Sequence, residues 1–176
     1  MSAAPMDAVD ECGFVFEAVE NAAVPAALRT AASTIADLLG RPELAAAVLL
    51  RPEPTVWSAL EYAGHLRDVF LAQRDRALLA LVVDTPTFVP IYRDERVGLA
   101  RYNDDRPEVV AGELVMAADL FARLFERLSA AQLARPCIYN YPAPAERDVG
   151  WMGRHTLHEA IHHLADVRRV LDQVAA

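Results

Sequence analysis

Ser58-Ala59-Leu60-Glu61-Tyr62-Ala63-Gly64-His65-Leu66-Arg67-Asp68-Val69-Phe70 reads as the first turns of a long helix. It opens on a capping box, in which Ser58 and Glu61 satisfy each other's free backbone N–H groups. Tyr62, Leu66, Val69 and Phe70 then recur at helical spacing, and the pattern predicts a helix from Ser58 to about Leu81.

Three further helical patterns flank this one. Pro25 to Leu39 starts with a first-turn proline and stops at Gly40, with Leu28, Ala31, Ala32, Ile35 and Leu39 on one face. Glu108 to Leu128 carries the wide apolar face Val110, Leu114, Ala117, Ala118, Phe121, Leu124, Phe125 and Leu128. Arg154 to Val174 has its core face marked by Leu157, Ile161, Leu164, Val167 and Leu171, and Thr156 with Glu159 reads as a second capping box near its start. Glu43 to Leu50 suggests a further turn or two of helix. Val83 to Pro107 is a long loop with room for a short helix, and Arg135 to Gly150 is a second loop rich in Pro and Tyr. The expected fold is all-α: a four-helix bundle with long connections, not simply up-down-up-down, over residues 25–176. Residues 1–24 form an N-terminal segment with room for a short helix.

Composition bounds the function. A chain of 176 residues suits one domain, and 54% hydrophobic content argues against disorder. A net charge of −8 argues against nucleic acid and against an anionic membrane surface. No apolar run approaches the roughly 20 residues of a membrane span. Met1-Ser2-Ala3-Ala4-Pro5-Met6-Asp7 lacks the basic and apolar regions of a secretory signal, so a cytoplasmic location is expected. Cys12 and Cys137, far apart in the chain, are expected as free thiols there. The apolar surplus beyond one core allows a bundle-to-bundle interface, hence a homodimer.

Histidine usage carries the chemistry. Of five histidines, four fall within nine residues: His155, His158, His162 and His163. His65 lies beside the apolar stripe of the second helix. His158 and His162, four apart, put their imidazoles one turn apart on one helix face, where a metal ion can accept a nitrogen from each. With His65 they would form a three-ligand site that leaves a position open for water or substrate. Glu61 and Asp68 flank His65, and Glu159 and Asp166 flank the pair; these carboxylates are candidates to orient the imidazoles. Against this, paired histidines on a polar face are usually solvated, and His158 and His162 lie off the strongest apolar stripe. That places the site at the edge or end of the bundle. His155 and His163 read as exposed or supporting residues. His158-Glu159-Ala160-Ile161-His162 also matches the H-E-x-x-H helix of zinc proteases, in which Glu159 would be a general base. That pattern has only three fixed positions, and its longer metzincin form fails at Ala165 and Arg168.

Trp57 to Val69 resembles the second-helix motif of the DinB-like superfamily, and His158 to Val167 resembles its last-helix motif. Pro86-Thr87-Phe88 and Arg101-Tyr102-Asn103 resemble loop features of its actinobacterial members. The superfamily includes mycothiol-dependent maleylpyruvate isomerases and related thiol S-transferases. The resemblance implies a four-helix bundle with zinc or nickel at one end, held by a histidine on the second helix and an i, i+4 pair on the last. These positions match His65, His158 and His162. Some isomerase members carry Glu at the first position of that pair.

Two functions follow as expectations. The first is a metal-dependent transferase or isomerase acting on a small-molecule substrate with a small thiol such as mycothiol, which the metal activates. Arg67, Arg93, Arg101 and Arg154 are candidates to bind a substrate carboxylate. The second is a non-catalytic metal-binding or stress-related module.

Overall fold

The computed structural model describes residues 13–140 and 143–174. Cys12 and the start of the N-terminal segment lie outside this range. Helices α1 (Val24–Leu39), α2 (Ala59–Val82), α3 (Arg93–Ala100), α4 (Pro107–Phe125), α5 (Ala130–Leu133) and α6 (Val149–Val174) account for most of the chain. The long helices α1, α2, α4 and α6 form the bundle. α1 and α2 each pack on both α4 and α6, so the order around the bundle is α1, α4, α2, α6. Chain neighbours α1 and α2 therefore face each other across the diagonal, so the bundle is not simply up-down-up-down, as expected. No helix among the described residues is long and apolar enough to cross a membrane.

The helices end where their residues say they should. Pro25 sits in the first turn of α1, whose buried face is Leu28, Ala31, Ala32, Ile35 and Leu39. The capping box of α2 is present: Glu61 N–H donates to Ser58 Oγ at 3.1 Å, and Ser58 N–H donates to Glu61 Oε2 at 2.8 Å. Pro107 opens α4, which buries Val110, Leu114, Ala117, Ala118, Phe121 and Phe125. Residues 43–50 form short 3-10 turns rather than α-helix, and the N-terminal segment contributes 3-10 turns at Phe16–Ala18 and Asn21–Ala23. The loop after α2 does contain a short helix, α3.

The structure departs from expectation after α5. The second loop is a hairpin: β1 (Pro136–Asn140) pairs antiparallel with β2 (Pro144–Asp148). β1 alternates, burying Cys137 and Tyr139, and is tied to the α2–α3 loop by Ile138 N–H to Pro86 O at 2.9 Å and Phe88 N–H to Ile138 O at 3.0 Å. Five alternating residues are too few to stand out, and Pro144-Ala145-Glu146-Arg147-Asp148 has no β-branched residue to mark it. The buried Cys137 thiol is unpaired, and burial pushes its pKa to about 11.

α6 also begins earlier than Arg154. Asp148 Oδ1 accepts Trp151 N–H at 2.6 Å, capping a helix that starts at Val149. Thr156, read as part of a cap, is buried mid-helix with its hydroxyl donating to Met152 O at 2.7 Å. Gly153 lets α6 approach α4: a Cβ there would lie 2.2 Å from Cζ of Phe125.

Candidate metal centre

The early turns of α6 bury polar as well as apolar residues. His155, Glu159 and His163 recur four apart, so they share one face, and Asp166 follows three residues later. Opposite them on α2 lies His65, only 2% exposed. The ligand atoms of His65, Glu159 and His163 all lie within 4.8 Å of one another. The rings of His65 and His163 meet edge to face, centroids 5.1 Å apart. Trp57 packs on His65 at 5.2 Å and Tyr62 on His163 at 5.3 Å, which fixes both imidazoles.

Hydrogen bonding leaves these donors unsatisfied. Both ring nitrogens of His65 and Nε2 of His163 are buried with no hydrogen-bond partner among the described residues. Nδ1 of His163 lies 2.9 Å from Asp166 Oδ2, whose other oxygen accepts from Arg169. Glu159 Oε2 stands 3.7 Å from His163 Nε2. Buried polar atoms without partners are costly and call for an explanation. Two imidazoles and a carboxylate form a donor set suited to a divalent transition metal, and an ion among them would satisfy one orphaned nitrogen of each imidazole.

Burial, then the neighbouring His163, lowers the His65 pKa to about 3, so its imidazole is neutral. Burial opposes ionisation of Glu159, but interactions with His158 and His163 outweigh it and hold the carboxyl well below its ordinary value. Burial likewise opposes ionisation of Asp166, yet His163 and Arg169 hold its pKa at about 2. For His163, burial is outweighed by Asp166 and Glu159, and the pKa rises.

His65 and Glu159 of the trio border a cleft of about 290 Å³, lined also by Gln73, Arg76, Arg93, Tyr139 and His155, among others. Its far wall comes from residues 89–95 and the tip of β1. The centre thus sits at one side of the bundle beneath the two long connections.

The sequence-predicted residues divide accordingly. His65 is in the site. His158 and His162 do not join it: among the described residues, no group of three candidate ligands combines either with His65. His158 packs on Phe14 and Phe16, at 5.3 and 5.5 Å between ring centroids. His162 Nε2 lies 3.5 Å from Asp166, its side chain 37% exposed. The i, i+4 pair facing His65 is Glu159 and His163, one residue further along. The sequence reading placed the core face of α6 by Ile161 and Leu164, but Ile161 is 38% exposed and Leu164 only partly buried. The buried face instead runs through Gly153, Thr156 and Ala160, small residues that carry little hydrophobic signal, together with Leu157, Val167 and Leu171 of the expected face. His155 and His163, read as exposed or supporting, are both 4% exposed. The zinc-protease pattern loses its basis, because His158 and His162 enter different groups.

Among the flanking carboxylates, Glu159 moves into the ligand set and Asp166 orients His163. Glu61 instead caps α2 and pairs with Arg51 at 2.5 Å. Asp68 accepts from Tyr102 at 2.6 Å and Arg67 at 3.0 Å. Of the four arginines singled out in the sequence, only Arg93 lines the cleft. Arg67 is held by Glu113 at 2.6 Å, Arg101 pairs with Asp104, and Arg154 donates to Asn21 at 2.7 Å. Arg76, Gln73 and Tyr139 line the cleft without having been singled out. Arg76 carries no sequence signal beyond being one of many cations. His155 lay in the histidine cluster and was legible from it.

A profile of the DinB superfamily matches residues 27–167. No curated protein matches the sequence. Among solved structures, YfiT from Bacillus subtilis superposes with a TM-score of 0.74 at 15% identity, covering 96% of this chain and 91% of that one. YfiT is described as a probable metal-dependent hydrolase with an unusual four-helix bundle topology.

Proposed function

The chain belongs to the DinB superfamily, and we propose that it is a metal-dependent enzyme whose ion is held by His65, Glu159 and His163. The observation that carries this reading is the cluster of buried, unpartnered imidazole nitrogens around an ionised carboxylate at the wall of an open cleft. Description of YfiT as a metal-dependent protein accords with it. Zinc and nickel both suit two imidazoles and a carboxylate.

The reaction we propose is thiol transfer or thiol-dependent isomerisation with a small thiol such as mycothiol. Glu159 at the first position of the α6 pair matches the pattern of the isomerase members noted above. When bound, a divalent cation supplies the charge that lowers the pKa of an approaching thiol. The protein's own groups prepare for this. Asp166 holds the proton on Nδ1 of His163 and leaves Nε2 free to act as a donor. Glu159 would contribute one negative charge to the set, the neutral imidazole of His65 none. Residues 89–95 and the tip of β1 wall the cleft. The thiol's proton passes to solvent. Its sulfur then bonds to an electrophilic carbon: in transfer a leaving group departs, and in isomerisation the thiol adds to an activated double bond and is eliminated after rotation.

The test is metal content followed by turnover. Untagged protein is expected to hold about one zinc or nickel per chain, since the three ligands form one site. It is expected to conjugate a small thiol to an electrophile in a metal-dependent way that His65→Ala abolishes. Metal-dependent ester or amide hydrolysis without thiol would replace this reading with a hydrolase, and bound metal without turnover would replace it with a binding module.

A further inference from the structure

Among the described residues, Arg76 is the arginine of the cleft wall that no carboxylate pairs. It leaves α2 one turn beyond Gln73 and is half-buried against the hairpin. Its Nη1 donates to Gln73 Oε1 and to Tyr139 Oη, both at 3.2 Å, and its Nη2 donates to Val89 O. Its guanidinium lies over the rings of Tyr139 and Phe88, 5.3 and 5.6 Å from their centroids. All these partners are neutral. No carboxylate pairs with Arg76 among the described residues, whereas Arg51, Arg67, Arg93, Arg101 and Arg169 each lie against one. Burial lowers its pKa accordingly. A sequestered cation without a counter-ion is costly, and proteins rarely keep one for packing alone. Two ring contacts and three hydrogen bonds hold the guanidinium in place, while its Nε–H has no acceptor among the described residues. Such an edge suits a planar anion.

We infer that Arg76 is the anion-binding residue of the cleft and that the substrate carries a carboxylate. The inference rests on the cleft serving the proposed metal centre as its substrate cavity. Charge selects the class. Asp94 and Glu95 line the same cleft, so a single unpaired cation there favours a monoanionic group over a phosphate dianion. Arg93, with its side chain 53% exposed and 3.9 Å from Asp94, is the weaker candidate. The carboxylate belongs either to the electrophile or to the thiol.

Ligand-observed NMR titration of chelator-treated, metal-free protein tests this without relying on the metal. The probes are succinate against dimethyl succinate, N-acetylcysteine against its methyl ester, and inorganic phosphate, at matched ionic strength. Wild-type protein is expected to bind at least one acid about tenfold more tightly than its ester and more tightly than phosphate, a ratio typical of one charged hydrogen-bonding group. Discrimination in the succinate pair assigns the carboxylate to the electrophile; discrimination confined to the other pair assigns it to the thiol. Arg76→Met should erase the difference and Arg76→Lys should reduce it, while Arg93→Met leaves most of it. No discrimination by the wild-type protein, preference for phosphate, or loss in Arg93→Met alone overturns the inference; the wild-type arm decides even if the Arg76 variants fail to fold. If the protein takes up no metal but still discriminates acid from ester, the metal reading fails and this one stands.

Discussion

Asp166 Oδ2 lies 2.9 Å from Nδ1 of His163, and the opposite nitrogen of the same ring is buried facing Glu159 and His65. A carboxylate behind a metal-binding imidazole fixes its tautomer and raises its basicity. Asp166→Asn, nearly isosteric, should therefore weaken zinc binding about 10- to 100-fold. A competitive titration against a chromophoric chelator measures this. An unchanged affinity would leave Asp166 only its pairing with Arg169.

The shift of the site by one residue on α6 makes a sharp contrast. His65→Ala, Glu159→Ala and His163→Ala should each lose stoichiometric metal, whereas His158→Ala and His162→Ala should retain it. Elemental analysis of untagged variants separates the two sets. Retention in His163→Ala with loss in His158→Ala would restore the pairing expected from the sequence.

Stability of the metal-free protein should fall with acid. His65 and His155 have folded pKa values lowered to about 3 and about 4 from 6.5, chiefly by burial. The unfolded chain therefore takes up their protons first, so their contribution is complete above about pH 6.5 and is lost as pH falls towards those values. The lowered carboxyl of Glu159 acts in the same direction below its ordinary range. His163, with its raised pKa, opposes the trend: its contribution is present below the ordinary value and fades as pH rises through the raised one. Thermal melts in chelator across this range should show a falling Tm with acidification. His155 stacks on Trp151 at 4.9 Å and 8° between planes, so His155→Phe keeps an aromatic ring there and should flatten the slope. A melt profile as steep as wild type would contradict this account.

Gly153→Ala places a methyl group against the ring of Phe125, at a position 2.2 Å from its Cζ. Relief requires the ring or α6 to move, at a cost of about 1–3 kcal/mol. Urea unfolding should show the midpoint lowered with little change in slope. Gly98→Ala, where a Cβ meets nothing within 4 Å, is the control and should be neutral or mildly stabilising.

The bundle was legible because four helices announce themselves by apolar faces, a first-turn proline and the Ser58–Glu61 box. The site was legible only in part. His65 and Asp166 could be read from their spacing, but the choice between neighbouring pairs on α6 depends on a helical phase. Small residues set that phase, and the large apolar Ile161 misstates it. The hairpin was hidden because β1 is short and β2 polar. Arg76 was hidden because an unbalanced charge is a property of three-dimensional neighbours, which only the packing of β1 and the α2–α3 loop against α2 supplies.

Cys137 bears on how the protein would tolerate the electrophiles of the proposed reaction. Alkylation and oxidation both proceed through the thiolate, and a buried thiol with a pKa near 11 offers almost none at neutral pH. An electrophile entering the neighbouring cleft would find no rival nucleophile on β1. Reagents that inactivate by capping cysteine should leave this residue untouched until the hairpin opens, so its labelling rate would report hairpin unfolding and not toxic self-modification.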